Sequence, residues 1–153
     1  MRIGLVACSA TKAPEARPAS QLYRGQLHRL ALDYARFTCD EVFILSARHG
    51  LVHLDDVLEP YDSHLLQLSR GGREAWGERV VDQLAHWHPT VDDLHLVLLA
   101  GAPYVNALPR TFLEWTSHET PLAHRGIGHQ KQWLAHELAI LRRQVLDSLG
   151  VSL

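Results

Sequence analysis

Within five residues the chain places a thiol, two hydroxyls and an amine: Cys8-Ser9-Ala10-Thr11-Lys12. Small side chains let backbone N–H groups close on an anion, and a lysine at the end of the stretch neutralises it. The glycines of a P-loop are missing, so Ser9 and Lys12 are the candidate binding groups. Cys8 ends an apolar run, where a cysteine serves packing or nucleophilic attack. A second stretch, Ser46-Ala47-Arg48-His49-Gly50, sets an imidazole just before a glycine, which predicts a histidine at a sharp turn beside a cleft. Behind it come Asp55, Asp56, Glu59 and Asp62, carboxylates of the kind that position water or stabilise a cationic centre, with the phenol Tyr61 among them. A third stretch is Gly101-Ala102-Pro103-Tyr104. In a fourth, Gly126-Ile127-Gly128-His129-Gln130, backbone N–H groups hold a phosphate or a base edge, or the glycines only form a tight connection.

Charge is distributed in blocks. Residues 40–62 carry six acids against Arg48, whereas residues 1–39 carry six bases against Glu15 and Asp33, and residues 122–143 four bases against Glu137. Two basic flanks around an acidic loop suit a substrate whose phosphates lie on the flanks while carboxylates serve the reacting centre; for any single acid, loop solvation is the simpler reading. Of the basic residues 13 are Arg and only Lys12 and Lys131 are Lys, the cation whose charge can be tuned for chemistry. Eleven histidines raise a zinc site, but His49/His53 and His86/His88 lack a third ligand at metal spacing, so neither a metal nor a cofactor is expected.

The elements that must position these groups follow from periodicity. Apolar runs at Arg2–Cys8, Glu41–Ser46 and Leu94–Leu99 read as buried strands, and the first three reactive stretches lie at their exits. A helix capped by Ser20 carries Tyr23, Leu27, Leu30, Tyr34 and Phe37 on one side. Another begins after Gly71-Gly72 with Trp76, Val80, Leu84 and Trp87, stopped by Pro89; a short one spans Tyr104 to Leu108; a last one carries Leu134, Leu138, Leu141, Val145 and Leu149. Leu51 to Ser69 reads as a long loop with at most one helical turn, and Phe112 to Trp115 as an edge strand. Alternating strands and helices predict one α/β domain over residues 1–153: three layers, a mostly parallel sheet with helices on both faces, and ligands at the strand ends near a topological switch point.

Length and composition agree: 153 residues, 46% hydrophobic and 21% charged, exclude disordered, collagen-like and coiled-coil classes. Two cysteines are too few for a disulfide framework, no signal peptide is visible, and the longest apolar runs fall short of a membrane span. A cytoplasmic protein without a membrane partner is expected. The net charge of −2 excludes a strongly basic nucleic-acid coat protein but not a local basic surface.

The motifs Cys8-Ser9-Ala10-Thr11-Lys12, Leu22-Tyr23-Arg24-Gly25, Leu45 to Leu51 and Glu59-Pro60-Tyr61-Asp62, with Gly126 to Trp133, resemble a family of small bacterial and phage domains of unknown function. The middle block is also similar to the peroxide-stress protein family, which is associated with DNA binding and protection from oxidative damage. The Cys-Ser-x-x-Lys start resembles a domain of archaeosine synthase, which acts on a modified guanine in tRNA. The wider resemblance implies a uracil-DNA-glycosylase-like fold, although that fold's water-activating motif and late His-Pro-Ser loop are absent.

A nucleic-acid base-processing protein is therefore expected, a glycosylase-like hydrolase that holds a flipped base of DNA, or of RNA, at the strand ends. Catalysis falls to Asp62, Glu59 and His49; binding to Cys8, Ser9, Lys12, Tyr23, Arg24, Ser46, Tyr61, Gly101, Tyr104, Gly128 and Gln130. Lys12 and Arg24 meet phosphate, His49 and Tyr61 the base, and Asp62 or Glu59 the water or cationic sugar. Two rivals stand beside it: an enzyme or sensor for a free nucleoside or nucleotide, and a non-catalytic DNA-binding module of the oxidative-stress response.

Overall fold

The computed structural model describes residues 1–151. Strand β1 (Arg2–Ala7) is followed by the two-residue β2 (Arg17–Pro18), helices α1 (Ala19–Leu22) and α2 (Gln26–Thr38), and strands β3 (Glu41–Ser46), β4 (Gly50–His53) and β5 (Val57–Leu58). Helix α3 (Arg70–Trp87), strand β6 (His95–Leu99), helices α4 (Ala102–Ala107) and α5 (Arg110–Trp115), strand β7 (Ser117–Glu119) and helix α6 (Ile127–Ser148) complete the order. The main sheet runs β4-β3-β1-β6-β7, with β4 antiparallel to β3 and every other pairing parallel. This is the α/β architecture with a mostly parallel sheet that the alternating pattern predicts.

Side chains of β1 alternate between two cores. Ile3 and Leu5 join Phe43, Leu45, Leu96 and Leu98 under Trp76, Val80 and Leu84 of α3. On the other face Val6, Val97 and Leu99 meet Ala31, Leu32 and Ala35 of α2 and Leu134 of α6. Strands covered on both faces read as unbroken apolar runs, which is why β1, β3 and β6 are legible in the sequence. Gly4 lets α2 pack close: a Cβ there would lie 3.1 Å from Ala35 Cβ and 3.2 Å from Cys39 Sγ.

Four features differ from the sequence-based expectation. The helix expected from Ser20 is two helices, because Tyr23 is extended (φ −86°, ψ 123°) and bridges to Lys12. Its ring is buried in a third core with Leu22, Ile44, Val52 and Tyr61, a contact no helical stripe encodes. The expected loop from Leu51 holds β4 and β5. Gly50, at φ +74°, reverses the chain so that Ser46 pairs with Gly50 and Ile44 with Val52. Gln83 of α3 locks that turn, accepting from Leu51 N–H (2.7 Å) and donating to His49 O (3.1 Å). The edge strand expected at Phe112 is instead α5, begun by Pro109 and leaving Trp115 88% exposed; the strand is β7, just beyond it. Gly71 and Gly72 fall inside the first turn of α3, because Ser69 caps the helix by accepting from Gly72 N–H (3.0 Å).

No helix among the described residues is long and apolar enough to cross a membrane. Helix α3 approaches α4 over Gly77, where a Cβ would sit 1.8 Å from the carbonyl oxygen of Ala107. Backbone cannot yield that far, so Gly77→Ala should destabilise by about 2 kcal/mol or more. A melting temperature lowered by roughly 5 °C, with Gly71→Ala unaffected, is the expected calorimetric result; equal melting of both variants would disprove the close contact.

Candidate functional site

Of the clefts near the ends of the parallel strands, two are lined by candidate residues expected from the sequence. The larger, about 390 Å³, lies at the exits of β1 and β6 and is bounded by Ala7–Thr11, Leu99–Gly101 and the beginnings of α2 and α6. In the order β4-β3-β1-β6-β7 the chain moves to opposite sides of β1, so this is the topological switch point of the sheet. Ser9 joins the exit loop to α2, donating to Thr11 O (2.8 Å) and accepting from Gly25 N–H (3.1 Å). A Cβ on Gly25 would stand 2.8 Å from Ser9 Cβ, so a glycine is required for that approach.

Both helices that begin at this cleft lack side-chain caps, and neither has an acid in its first turn. Their leading N–H groups have no intrahelical partners and carry the positive end of the helix dipole. Lys131 lines the same cleft. His28, 3% exposed, places Nδ1 2.7 Å from Ala7 O. That bond makes Nδ1 the protonated nitrogen, and Nε2 is left without a partner. Gln130, 5% exposed, donates through Nε2 to Leu122 O (3.0 Å) and Arg125 O (2.8 Å).

The smaller cleft, about 320 Å³, is lined by Arg48, His49, Glu59 and Tyr61 with Val57, Leu58 and Pro60. A chain of buried hydroxyls supports it: Ser46 Oγ lies 2.6 Å from Tyr61 OH, and Tyr61 OH 2.6 Å from Tyr23 OH. Ser46 Oγ also accepts His49 N–H at 3.0 Å, which ties the turn to the chain. The Lys12 ammonium stands 4.4 Å from the centre of the Tyr61 ring and 5.8 Å from that of Tyr23, a cation–π arrangement. The imidazole of His49 meets the Tyr61 ring edge to face at 5.3 Å, and burial, with Arg48 and Arg79 nearby, lowers its pKa. Burial, then the neighbouring Cys8, raises the phenols of Tyr61 and Tyr104 far above the usual range. Cys8 Sγ lies 3.3 Å from Tyr104 OH and accepts Ala47 N–H at 3.4 Å, so the sulfur braces the exits of β1 and β3 together.

Of the residues expected from the sequence, Cys8, Ser9, Gly101 and Gln130 line the larger cleft, and His49, Glu59 and Tyr61 the smaller. Tyr23 and Ser46 are buried in the hydroxyl chain, one layer behind the surface. Tyr104 stands behind Cys8, Arg24 is exposed outside both clefts, and Gly128 sits open in the first turn of α6. Asp62 does not join them: its side chain is 95% exposed and pairs with His64 at 3.2 Å. Residue alternation along an extended segment explains this, since Tyr61 points inward and its neighbour must point out. His28 and Lys131 were not singled out for the site. The signal available was their place in the first turns after Gly25 and Gly126. Among the described residues no three His, Cys, Asp or Glu side chains gather as metal ligands.

The family of unknown function DUF6884 matches residues 3–136, which include every residue of both clefts. The chain belongs to this family. DUF6884 thus spans β1 through the first half of α6, and the remainder of that helix extends beyond the match. The chain is also similar to the uncharacterized protein YfjM of Bacillus subtilis (strain 168), 29% identical over 141 residues that cover 87% of this chain and 92% of that one.

Burial, opposed by the bond to Ala7 and aided by Arg29 and Arg36, holds the His28 pKa below its ordinary 6.5. The unfolded chain then binds the proton more readily, so this contribution to stability is complete above pH 6.5 and is lost as pH falls toward the folded value. The melting temperature should fall more steeply between about pH 7.5 and 5.5 in the native chain than in His28→Gln. Parallel profiles would show that His28 does not set the acid limb.

Proposed function

We propose that this chain binds phosphorylated nucleosides, free or as units of a nucleic-acid strand, with the phosphate at the converging starts of α2 and α6. One observation carries this reading: two uncapped helix N-termini and Lys131 open onto a single cleft at the switch point of the sheet. Unpaired N–H groups and two aligned dipoles favour an anion there, and phosphate accepts several hydrogen bonds at once. Lys12, Arg48 and Arg79 stand at the neighbouring exits in a chain whose net charge is −2, so positive potential is local rather than global. The resemblance of the strand-exit motifs to the peroxide-stress family and to the archaeosine synthase domain supports a nucleobase as the rest of the ligand, as does the uracil-DNA-glycosylase-like fold that the resemblance implies.

A second reading, hydrolysis of an N-glycosidic bond, is favoured by His49, Glu59 and Tyr61 lining one cleft. In it the neutral imidazole of His49 takes a proton from the attacking water, and the Glu59 carboxylate faces the cationic sugar. Glu59 replaces Asp62 in this role because Asp62 lines neither cleft.

Nucleoside 5′-monophosphates should bind about tenfold or more tightly than the unphosphorylated nucleosides, and Lys131→Gln should remove most of that difference. Equal affinity of the two forms would overturn the reading. A shallow salt slope marks a single nucleotide and a steep one a strand spanning several phosphates. Free-base release from oligonucleotides in the same titration, lost in Glu59→Gln and kept in Asp62→Asn, is the expected result for hydrolysis; binding without release excludes it.

A further inference from the structure

The larger cleft presents donors from its backbone and acceptors from its side chains. The carboxamide of Gln130 has only one tenable orientation, because its NH2 group faces two carbonyls, Leu122 O and Arg125 O. Flipped, it would set oxygen against oxygen twice. Oε1 is therefore fixed as an acceptor, and no described residue donates to it. His28 is fixed in the same way by Ala7 O, which leaves Nε2 as a bare lone pair. Only two buried side-chain nitrogen or oxygen atoms among the described residues lack a partner: this one, in a residue that lines the cleft, and Nε2 of His53, which packs against Phe43 and Trp87 away from it. A buried acceptor without a donor costs roughly 1–3 kcal/mol, a cost borne here by Nε2 of His28; Oε1 of Gln130 is not among the fully buried unpartnered atoms, so it is the directed acceptor on this cleft that a ligand N–H can reach.

We propose that the base taken by this cleft carries an exocyclic amino group, which donates to Oε1 of Gln130. The inference rests on the nucleotide reading of the cleft and specifies its substrate class: amino-bearing nucleobases, selected over the same ring without the amino group. Phosphate supplies acceptors to the helix N-termini and the base supplies a donor to Gln130, so each end of the ligand fits only one side. A site built to hydrogen-bond an N–H rejects the analogue that lacks it more strongly than an apolar pocket would, because its own acceptor is left unpaired.

The test is equilibrium binding of inorganic phosphate and three pairs of 5′-monophosphates that differ only by deletion of the amino group: adenosine against purine riboside, guanosine against inosine, and cytidine against pyrimidin-2-one riboside. In one pair the amino form should bind about tenfold or more tightly. Gln130→Met should abolish that difference. Equal binding within all three pairs by the native chain overturns the inference and leaves the nucleotide reading standing. Binding of no monophosphate, or of phosphate alone, overturns both. The comparison within the native chain decides the matter even if Gln130→Met fails to fold.

Discussion

Strand β1 is paired in parallel on both edges and covered by helices on both faces, so its polar backbone groups are consumed by the sheet everywhere except at its ends. Everything at the candidate site hangs on where that strand stops. Cys8 N–H still donates to Leu45 O at 3.0 Å, and immediately afterwards Ser9 turns to meet Gly25. The exit of β1 thus determines how closely α2 begins beside it. With α6 docked on α2 through Leu134, the start of α6 is placed by the same packing. The geometry proposed to bind an anion is a by-product of layer packing, with no acidic side chain in the first turn and no capping side chain on either helix.

The hydroxyl chain from Ser46 through Tyr61 to Tyr23 plays the matching part for the second cleft. Each phenol sits in a low-dielectric core where an unpaired O–H would be costly, and the three groups satisfy one another over a short path. The chain joins the β3 exit, the segment after β5 and the segment before α2, which have no regular secondary structure in common. Lys12 and His49 both pack against the same Tyr61 ring. The acidic block from residue 40 to residue 62 mostly solvates this region: Asp55, Asp56 and Asp62 are exposed, and only Glu59 reaches a cleft.

How much was legible beforehand differs by kind of information. Buried strands announce themselves as apolar runs, and their exits as clusters of small and reactive residues, so β1, β3 and β6 were legible, together with Cys8, Ser9, Gly101 and Gln130 of one cleft and His49, Glu59 and Tyr61 of the other. Family membership follows the same linear pattern, since DUF6884 matches residues 3–136. Boundaries set by tertiary contact were not legible. Tyr23 interrupts a helix to reach Tyr61, Gly50 builds a hairpin that Gln83 locks from 32 residues away, and α5 displaces an edge strand.

By itself, then, the sequence determined the layered α/β plan, the strand exits at which the candidate groups lie, and a short inventory of groups proposed to meet a phosphate and a base, whereas the switch point at the end of β1 came from the strand order. Periodicity and residue size act locally, and local signals survive in one dimension. Only the tertiary structure decided which members of that inventory face one another. It turned Asp62 outward to His64, set Tyr23 and Ser46 behind the surface, and brought His28 and Gln130 to one cleft as acceptors whose orientations are fixed by carbonyls on other segments. Hydrogen-bond direction depends on what stands opposite a side chain, and that is settled by packing between elements far apart in the chain.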